Sequence, residues 1–290
     1  MQKIKDKMNY LYVFLAGASW GIISLFLKPL LNMGFSQIQT VTVRCLIAAF
    51  TLGLIMLFTD RSSFKIKLRD IWCFLGTGIA SMMFFSIAYF YSMTYNGVCI
   101  AVILLYTSPV FVMLLSKILF GEKITVSKIV ALILTVVGCA FASGVGSDQI
   151  LTFKGLLLGL CSGLGYAFYS VFSRYALKRN YKSITVSFYT FLFCGIACLP
   201  FAEVLSLPTL VNTKSIFYAL GLGIVCCVLP YVLYTKGLEK VENSKASVIV
   251  AVEPVVASVI GIAVYNETLT PEKLLGIIFV LCAVVICSKD

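Results

Sequence analysis

Charge-poor, apolar blocks of about twenty residues alternate along the chain with short charged or turn-forming breaks. An α-helix rises about 1.5 Å per residue, so about 20 apolar residues cross the hydrocarbon core of a bilayer. The pattern therefore predicts ten transmembrane helices. The predicted spans are residues 9–31, 37–58, 71–95, 97–119, 125–146, 155–177, 183–206, 215–236, 244–265 and 271–288.

The longest uncharged run, residues 71–116, is about twice as long as one crossing requires. The chain must therefore turn once inside it, and the dipeptide Asn96-Gly97 predicts a hairpin there. Thr270-Pro271 predicts the start of a helix, with a threonine cap followed by proline at the first helical position. Residues 146–148, Gly-Ser-Asp, predict the end of the fifth span.

The composition agrees with a lipid-facing surface. Hydrophobic residues make up 60% of the 290 residues, charged residues only 12%, and the mean hydropathy is +1.02. Soluble domains are about half apolar and about a quarter charged. We therefore expect an all-α, polytopic membrane protein without a soluble domain, whose partner is the lipid bilayer.

The basic residues predict the orientation, because cytoplasmic loops collect Lys and Arg. With a cytoplasmic N-terminus and ten spans, Arg44 lies within a span and eighteen of the 23 basic residues fall on the cytoplasmic side. The four on the opposite side are Lys28, Lys154, Lys214 and Lys273. A missed or added helix would reverse every later loop, so the asymmetry supports ten spans, with both termini cytoplasmic.

The remaining composition argues against several other functions. A net charge of +11 would suggest nucleic acid as a partner of a soluble protein, but here the charges follow the loops. The chain has no histidine, and its eleven cysteines lie mostly in apolar runs without a CxxC pair. It also lacks a GxxxxGK[ST] sequence. We expect no nucleic-acid partner, no metal, no cofactor and no enzymatic activity.

The two halves of the chain repeat each other at an offset of 145 residues. The matching pairs are Pro109 and Pro254, Glu122 and Glu267, Thr125 and Thr270, and Lys128 and Lys273; near the start of each half, Lys28 matches Arg174 at an offset of 146. We divide the chain into residues 1–147 and 148–290, each with five spans. An odd number of spans inverts the second half, which makes Glu122 cytoplasmic and Glu267 external.

Inverted repeats are typical of secondary transporters, because two nearly equivalent halves can exchange conformations around a site at the membrane midplane. The simpler interpretation is that duplication only built a larger membrane protein. We favour alternating access.

The repeated segments resemble the drug/metabolite transporter superfamily, in its EamA-type branch. The strongest part is YFYSMTYNGVCIAVILLYTSPVFVMLLSKILFGEKIT, residues 89–125, and residues 231–270 repeat its pattern with Asn266 in place of the expected glycine. The resemblance covers nearly the whole chain. It implies ten helices around a central cavity, a plasma-membrane location and transport of small metabolites such as amino acids, amines, nucleosides, drugs or sugar derivatives.

Glu253 is the most informative candidate residue. It lies about 15 Å along its span, near the bilayer midplane, where a carboxylate normally faces protein or a water-filled cavity. It is a candidate for binding or coupling a proton or a cationic substrate, and the resemblance adds that family members often carry a carboxylate before this proline. The alternative is a structural carboxylate with a fixed partner.

Arg44 lies about 10 Å into the second span. It is predicted either to extend towards the external headgroups or to face the cavity and pair with Glu253 or a substrate carboxylate.

The remaining candidates surround two midspan prolines, Pro109 and Pro254, which free backbone carbonyls and can break their helices. Tyr106 and Ser108 flank the first break. Aromatic residues inside spans can line a cavity or simply pack between helices. These are Trp20, Tyr89, Tyr91, Tyr166, Tyr231 and Tyr234.

The leading hypothesis is a secondary transporter of amino-acid, amine or drug-like solutes across the plasma membrane, by alternating access. Proton coupling through Glu253 is one mechanism and facilitated exchange is its rival. The alternatives are a lipid-linked sugar flippase on the same scaffold, and a receptor or membrane-embedded enzyme.

Overall fold

Helices form nearly all of the structure, a computed structural model that describes residues 2–143 and 152–289. These residues contain no β-strand. Eight helical segments are long and apolar enough to cross a membrane, and the shorter apolar helices Ser108–Phe120 and Val126–Ala142 complete the set. The predicted all-α fold class is confirmed. The predicted end of the fifth span and the predicted boundary between residues 147 and 148 lie outside the described residues.

The first half contains five helices that we number α1 to α5. Helix α1 joins Gln2–Gly21 to Ser24–Asn32, α2 is Gln37–Thr59, α3 covers residues 71–96, α4 joins residues 98–105 to Ser108–Phe120, and α5 is Val126–Ala142. Helix α3 includes a π-helical segment, Gly76–Met83.

The second half repeats this order as α6 to α10. Helix α6 is Phe153–Lys178, α7 is Ser183–Cys198, α8 joins Thr213–Gly223 to Leu229–Gly237, α9 joins Asn243–Ile249 to Glu253–Tyr265, and α10 is Pro271–Lys289. Helix α8 contains the π-helical segment Ile224–Val228, which corresponds at the 145-residue offset to the end of the π segment in α3.

The predicted hairpin falls at Gly97, where φ is 80° and ψ is 167° inside an otherwise helical stretch. Both arms of this hairpin run along α6. A Cβ atom built at Gly159 would lie 2.8 Å from Ser92 Oγ and 2.7 Å from Leu104 Cβ, so one point on α6 touches both arms. The chain therefore reverses at Gly97, and α3 and α4 are separate spans.

Helices α2 and α7, which occupy corresponding places in the two halves, pack antiparallel, as inversion requires. Between α2 and α7, the Sγ atoms of Cys45 and Cys194 lie 3.6 Å apart, while Thr185 Oγ1 at the start of α7 donates to the carbonyl oxygen of Ser63, beyond the end of α2, at 3.0 Å. From the first contact to the second, the residue number rises from 45 to 63 on the α2 side and falls from 194 to 185 on the α7 side, so the two helices run in opposite directions.

The repeat extends to individual contacts between helices. A Cβ atom at Gly17 of α1 would lie 2.5 Å from the carbonyl oxygen of Val250 in α9, and one at Gly163 of α6 would lie 3.4 Å from that of Leu105 in α4. These pairs are related by the same offsets of 145 and 146 residues. Glycine lets each helix approach its neighbour's backbone closely.

The helix ends also repeat. Gly121 and Asn266 both adopt the left-handed conformation after α4 and α9, with φ of 69° and 54°. Asn tolerates this conformation better than other residues with a Cβ atom, which explains why it can replace glycine here. Thr270 caps α10 as predicted, since its Oγ1 accepts from the amide of Lys273 at 3.3 Å.

We predict that Gly138→Ala destabilises the protein more than Gly53→Ala. A Cβ atom at Gly138 would lie 2.9 Å from the carbonyl oxygen of Gly276, where α5 meets α10, and overpacking of this kind costs about 1–3 kcal/mol. At Gly53 the added atom meets only the edge of the Phe188 ring, at 3.2 Å, and alanine raises helix propensity by about 1 kcal/mol.

Thermal midpoints measured in detergent should fall for Gly138→Ala and stay level or rise for Gly53→Ala. Equal midpoints would show that α5 and α10 do not approach as closely as described.

Candidate functional site

A cavity of about 210 Å³ lies between the halves, bordered by residues of α1, α2, α3, α4, α6, α7, α8 and α9. Its wall is mainly apolar and aromatic. Gln37, Ile38 and Phe201, which lie at or beyond helix ends, place its mouth at the face that carries the α1–α2 turn. Six of the predicted side chains line it: Trp20, Arg44, Tyr89, Tyr166, Tyr231 and Glu253.

Two broken helices meet beside this cavity. Helix α4 is interrupted between Leu105 and Ser108, and α9 passes through the 3₁₀ segment Val250–Val252 before it resumes at Glu253. Each second piece has its proline, Pro109 or Pro254, in its first turn. Proline lacks the amide hydrogen that would continue the preceding turn, so each helix breaks immediately before it.

Glu253 begins the second piece of α9 and borders the cavity. The positive end of this helix favours a negative side chain in its first turn. The hydroxyl of Tyr106, at the break in α4, lies within hydrogen-bonding range of the carboxylate. Tyr89 and Tyr166 also lie within electrostatic range of it.

Arg44 reaches the same cavity from α2. Its neighbours are Tyr231 and the thiols of Cys45, Cys194 and Cys227, and its Nε atom is buried without a hydrogen-bond partner. The side chain therefore faces the cavity, not the external headgroups.

An ion pair between Arg44 and Glu253, one of the alternatives considered for Arg44, does not form. Within the described part of the chain, neither residue belongs to an ion pair. Two opposite charges thus border one cavity without neutralising each other.

Aromatic rings close the deep end of the cavity. Trp20 packs edge-on against Tyr231 at 5.0 Å and against Tyr166 at 6.2 Å between ring centroids. Tyr169 and Phe191 pack against Tyr231 at 5.0 and 4.9 Å. Edge-to-face contacts of this length stabilise aromatic clusters. We call these five residues the aromatic floor.

Tyr234 lies beneath this floor and does not line the main cavity. Its hydroxyl hydrogen-bonds with Ser170 Oγ at 2.8 Å, and its ring borders a void of about 10 Å³ that Ser81 also lines. Tyr231 and Tyr234 are three residues apart and lie on the same side of α8, but only Tyr231 reaches the cavity.

Two other expectations require correction. Tyr91 is 50% exposed on the outer surface, whereas Tyr89 lines the cavity. Residues two apart on a helix point about 200° apart, so the two rings cannot share a face. Ser108 is buried beside Pro109 and, like Tyr106, is absent from the cavity wall.

Several lining residues were not among the candidates predicted from the sequence, for example Gln37, Thr40 and Val41 of α2. Together with Arg44 they follow the spacing i, i+3, i+4 and i+7, which marks one face of a helix. Extending this spacing from Arg44 would have found them.

Residues 7–144 and 153–289 each match the sequence model of the EamA-like transporter family. The chain belongs to this family. It is 31% identical over 214 residues to an uncharacterized transporter of Archaeoglobus fulgidus, across 73% of this chain and 76% of that protein. The uncharacterized transporter YwfM of Bacillus subtilis is 22% identical over 287 residues, across 98% and 95% of the two chains. The resemblance is confirmed, and the chain is a multi-pass membrane transporter.

A protein of known crystal structure shares the fold of this EamA-like transporter. The two structures superpose with a TM-score of 0.81 over 97% of this chain and 96% of that chain, at 15% sequence identity. At this identity the likeness concerns the fold alone.

We predict that a cysteine at position 89 of this EamA-like transporter reacts with water-soluble thiol reagents and that one at position 91 does not. Tyr89→Cys would place a thiol in the cavity, and Tyr91→Cys would place one against lipid. The measurement is labelling by a membrane-impermeant maleimide in a background with the eleven native cysteines replaced. Equal labelling of the two variants would show that the cavity is assigned to the wrong face of α3.

Proposed function

We propose that this EamA-like transporter carries a zwitterionic, amino-acid-like solute across the plasma membrane by alternating access. The observation that supports this proposal is the pair of unpaired, opposite charges in one aromatic-lined cavity. Arg44 binds the carboxylate of the solute, and Glu253 binds its ammonium group.

The cost of burying charge favours this class of substrate. An ionised side chain away from bulk water is expensive unless it is paired and hydrogen-bonded. Arg44 has an unsatisfied Nε atom, and Glu253 forms no ion pair among the described residues. A solute with both charges neutralises both residues, whereas an amine or an acid alone leaves one of them without a partner.

The cavity wall adds a second preference. Trp20, Tyr89, Tyr166 and Phe85 present ring faces and edges to a space of about 210 Å³. Ligand sites of this kind are mainly apolar, with a few polar groups that orient the ligand. A side chain of the size of leucine or phenylalanine suits this wall.

The orientation follows from the distribution of basic residues. With both termini in the cytoplasm, the α1–α2 turn is external, and the cavity mouth at that face makes this an outward-open conformation. The aromatic floor then separates the cavity from the cytoplasmic side. Alternating access requires this floor to part while the external mouth closes.

Glu253 is also the proposed site of proton coupling. No basic residue of the described chain forms an ion pair with it, so a proton or the ammonium group of the solute can neutralise its charge. Competition between these two cations for one carboxylate would couple their movements in opposite directions.

We expect phenylalanine to stabilise the purified protein more than 2-phenylethylamine or 3-phenylpropionate. The three probes share a ring, but only phenylalanine carries both charges. Thermal midpoints with each probe measure this preference. In Arg44→Gln, the apparent affinity for phenylalanine, derived from the thermal midpoints, should fall at least tenfold. Arg44→Lys should recover part of this affinity. If leucine, phenylalanine and tryptophan stabilise no better than the singly charged probes, the solute is not a zwitterion.

Glu253→Gln should abolish proton-driven uptake or export in reconstituted vesicles, because glutamine cannot bind and release a proton. Flux of a solute identified by thermal shift, measured with and without a pH gradient, tests this expectation. Glu272→Gln, an exposed residue in the first turn of α10, is the matched control and should behave as the parent protein. Unchanged pH-driven flux in Glu253→Gln would exclude coupling at this residue.

A further inference from the structure

A carboxylate from the first half holds the start of α9 at the predicted cytoplasmic face. Glu122, immediately after the left-handed turn that ends α4, accepts from the amides of Asn243 and Ser244 at 2.8 and 3.2 Å and from Ser244 Oγ at 2.6 Å. Amides in the first turn of a helix have no partner within the helix, so this carboxylate supplies one. Its side chain is only 10% exposed.

Basic residues reinforce the same junction. Arg174 of α6 donates to Asn243 Oδ1 at 2.9 Å and to the carbonyl oxygen of Val241, and it lies 4.0 Å from Glu122. Lys128, which is almost fully buried, pairs with Glu242 at 2.7 Å. The aromatic floor lies on the cavity side of this junction. We call the contact between Glu122 and the start of α9 the cytoplasmic latch.

The counterpart of Glu122 behaves differently at the opposite face. Glu267 follows the equivalent left-handed turn and makes the equivalent backbone bond, from its amide to the carbonyl oxygen of Gly261 at 3.0 Å. Its side chain, however, is 43% exposed and contacts only Lys273, at 3.0 Å, and Lys28, at 4.0 Å, among described ion pairs.

Repeat symmetry identifies the amides that Glu267 would bind if it acted as Glu122 does. Residues 243 and 244 correspond to Val98 and Cys99, the first residues of α4 after the hairpin. No hydrogen bond joins Glu267 to either amide within the described ranges. Lys28, the counterpart of Arg174, is close to Glu267 but rests on the ring of Tyr265, 3.7 Å from its centroid. We call a contact between Glu267 and the start of α4 the external latch, and it is not formed in this conformation.

We propose that Glu122 and Glu267 are alternating latches. In the conformation described here, Glu122 holds the start of α9 and closes the cytoplasmic side. In the opposite conformation, Glu122 releases α9, and Glu267 binds the amides of Val98 and Cys99 to close the external side.

This inference rests on the proposed alternating access and specifies what stabilises each of its end states. The two latches use the same chemistry, a carboxylate on helix-terminal amides, so exchanging one for the other keeps the number of such bonds constant. The two conformations can then lie close in free energy, as rapid exchange between them requires. A static tie at Glu122 would predict no role for Glu267.

Thiol accessibility measures the two conformations without reference to transport. Ser81→Cys reports on the cytoplasmic side, because Ser81 lines the void beneath the aromatic floor, and Tyr89→Cys reports on the cavity. In the cysteine-replaced background, Glu122→Ala and the isosteric Glu122→Gln should raise cytoplasmic labelling at position 81 and lower external labelling at position 89, each at least threefold. Glu267→Ala should shift both signals in the opposite direction.

Glu272→Ala, which alters another external carboxylate, should leave both signals unchanged. If both Glu122 variants remain folded and leave labelling at position 81 unchanged, Glu122 is a static tie and the proposal fails. Because labelling is independent of the solute, this result would leave the proposed transport function intact.

A cross-link tests the external latch directly. In a background that retains Cys99 alone, Glu267→Cys should form a disulfide with Cys99 under mild oxidation by copper phenanthroline, and adding Glu122→Ala should increase its yield at least threefold. With Tyr89→Cys added as the reporter, the disulfide should block external labelling of the cavity. Glu272→Cys is the matched control and should not cross-link. No cross-link in Glu267→Cys, with or without Glu122→Ala, would overturn the alternation.

Discussion

A backbone that crosses lipid must satisfy its own hydrogen bonds, because hydrocarbon offers no alternative partner. This constraint accounts for the helical spans, and it also determines where a span can be interrupted. The breaks before Pro109 and Pro254 lie next to one another and beside the cavity, where protein groups and water can serve the freed backbone atoms. The same breaks bring Tyr106 close to Glu253, so the proposed site lies where regular helix cannot continue.

Glycine-mediated contacts hold these broken helices against their neighbours in both halves. Gly17 and Gly163 occupy equivalent positions, and each brings its helix against the carbonyls that precede a break in another helix. The halves are nevertheless unequal at their ends, since Glu122 is buried against α9 while Glu267 is exposed. In alternating access, the two similar halves must adopt different arrangements in any single conformation.

Particular residues show how far the sequence could predict the site. Arg44 and Glu253 stood out because ionisable side chains are rare at that depth, and both do reach the cavity. Tyr89 and Tyr91 were equally good candidates on residue type alone, yet only Tyr89 lines the cavity. The π-helical segment Gly76–Met83 precedes both residues and changes the rotation of α3, which a regular 3.6-residue period cannot anticipate.

The sequence by itself determined the all-α class, the hairpin at Gly97, the duplication and the family. Hydropathy and turn residues are local signals, and the lipid environment leaves few alternatives to a helix for each apolar block. The duplication and the family follow from motifs that recur at a fixed offset along the chain. Only the tertiary structure decided which side of each helix meets the cavity, that Arg44 and Glu253 stay unpaired, and that Glu122 is engaged while Glu267 is not. These outcomes depend on how helices from distant parts of the chain rotate and approach one another. The two repeats carry nearly the same local pattern, so that pattern alone cannot show at which end of the molecule the carboxylate is engaged and at which end it is exposed.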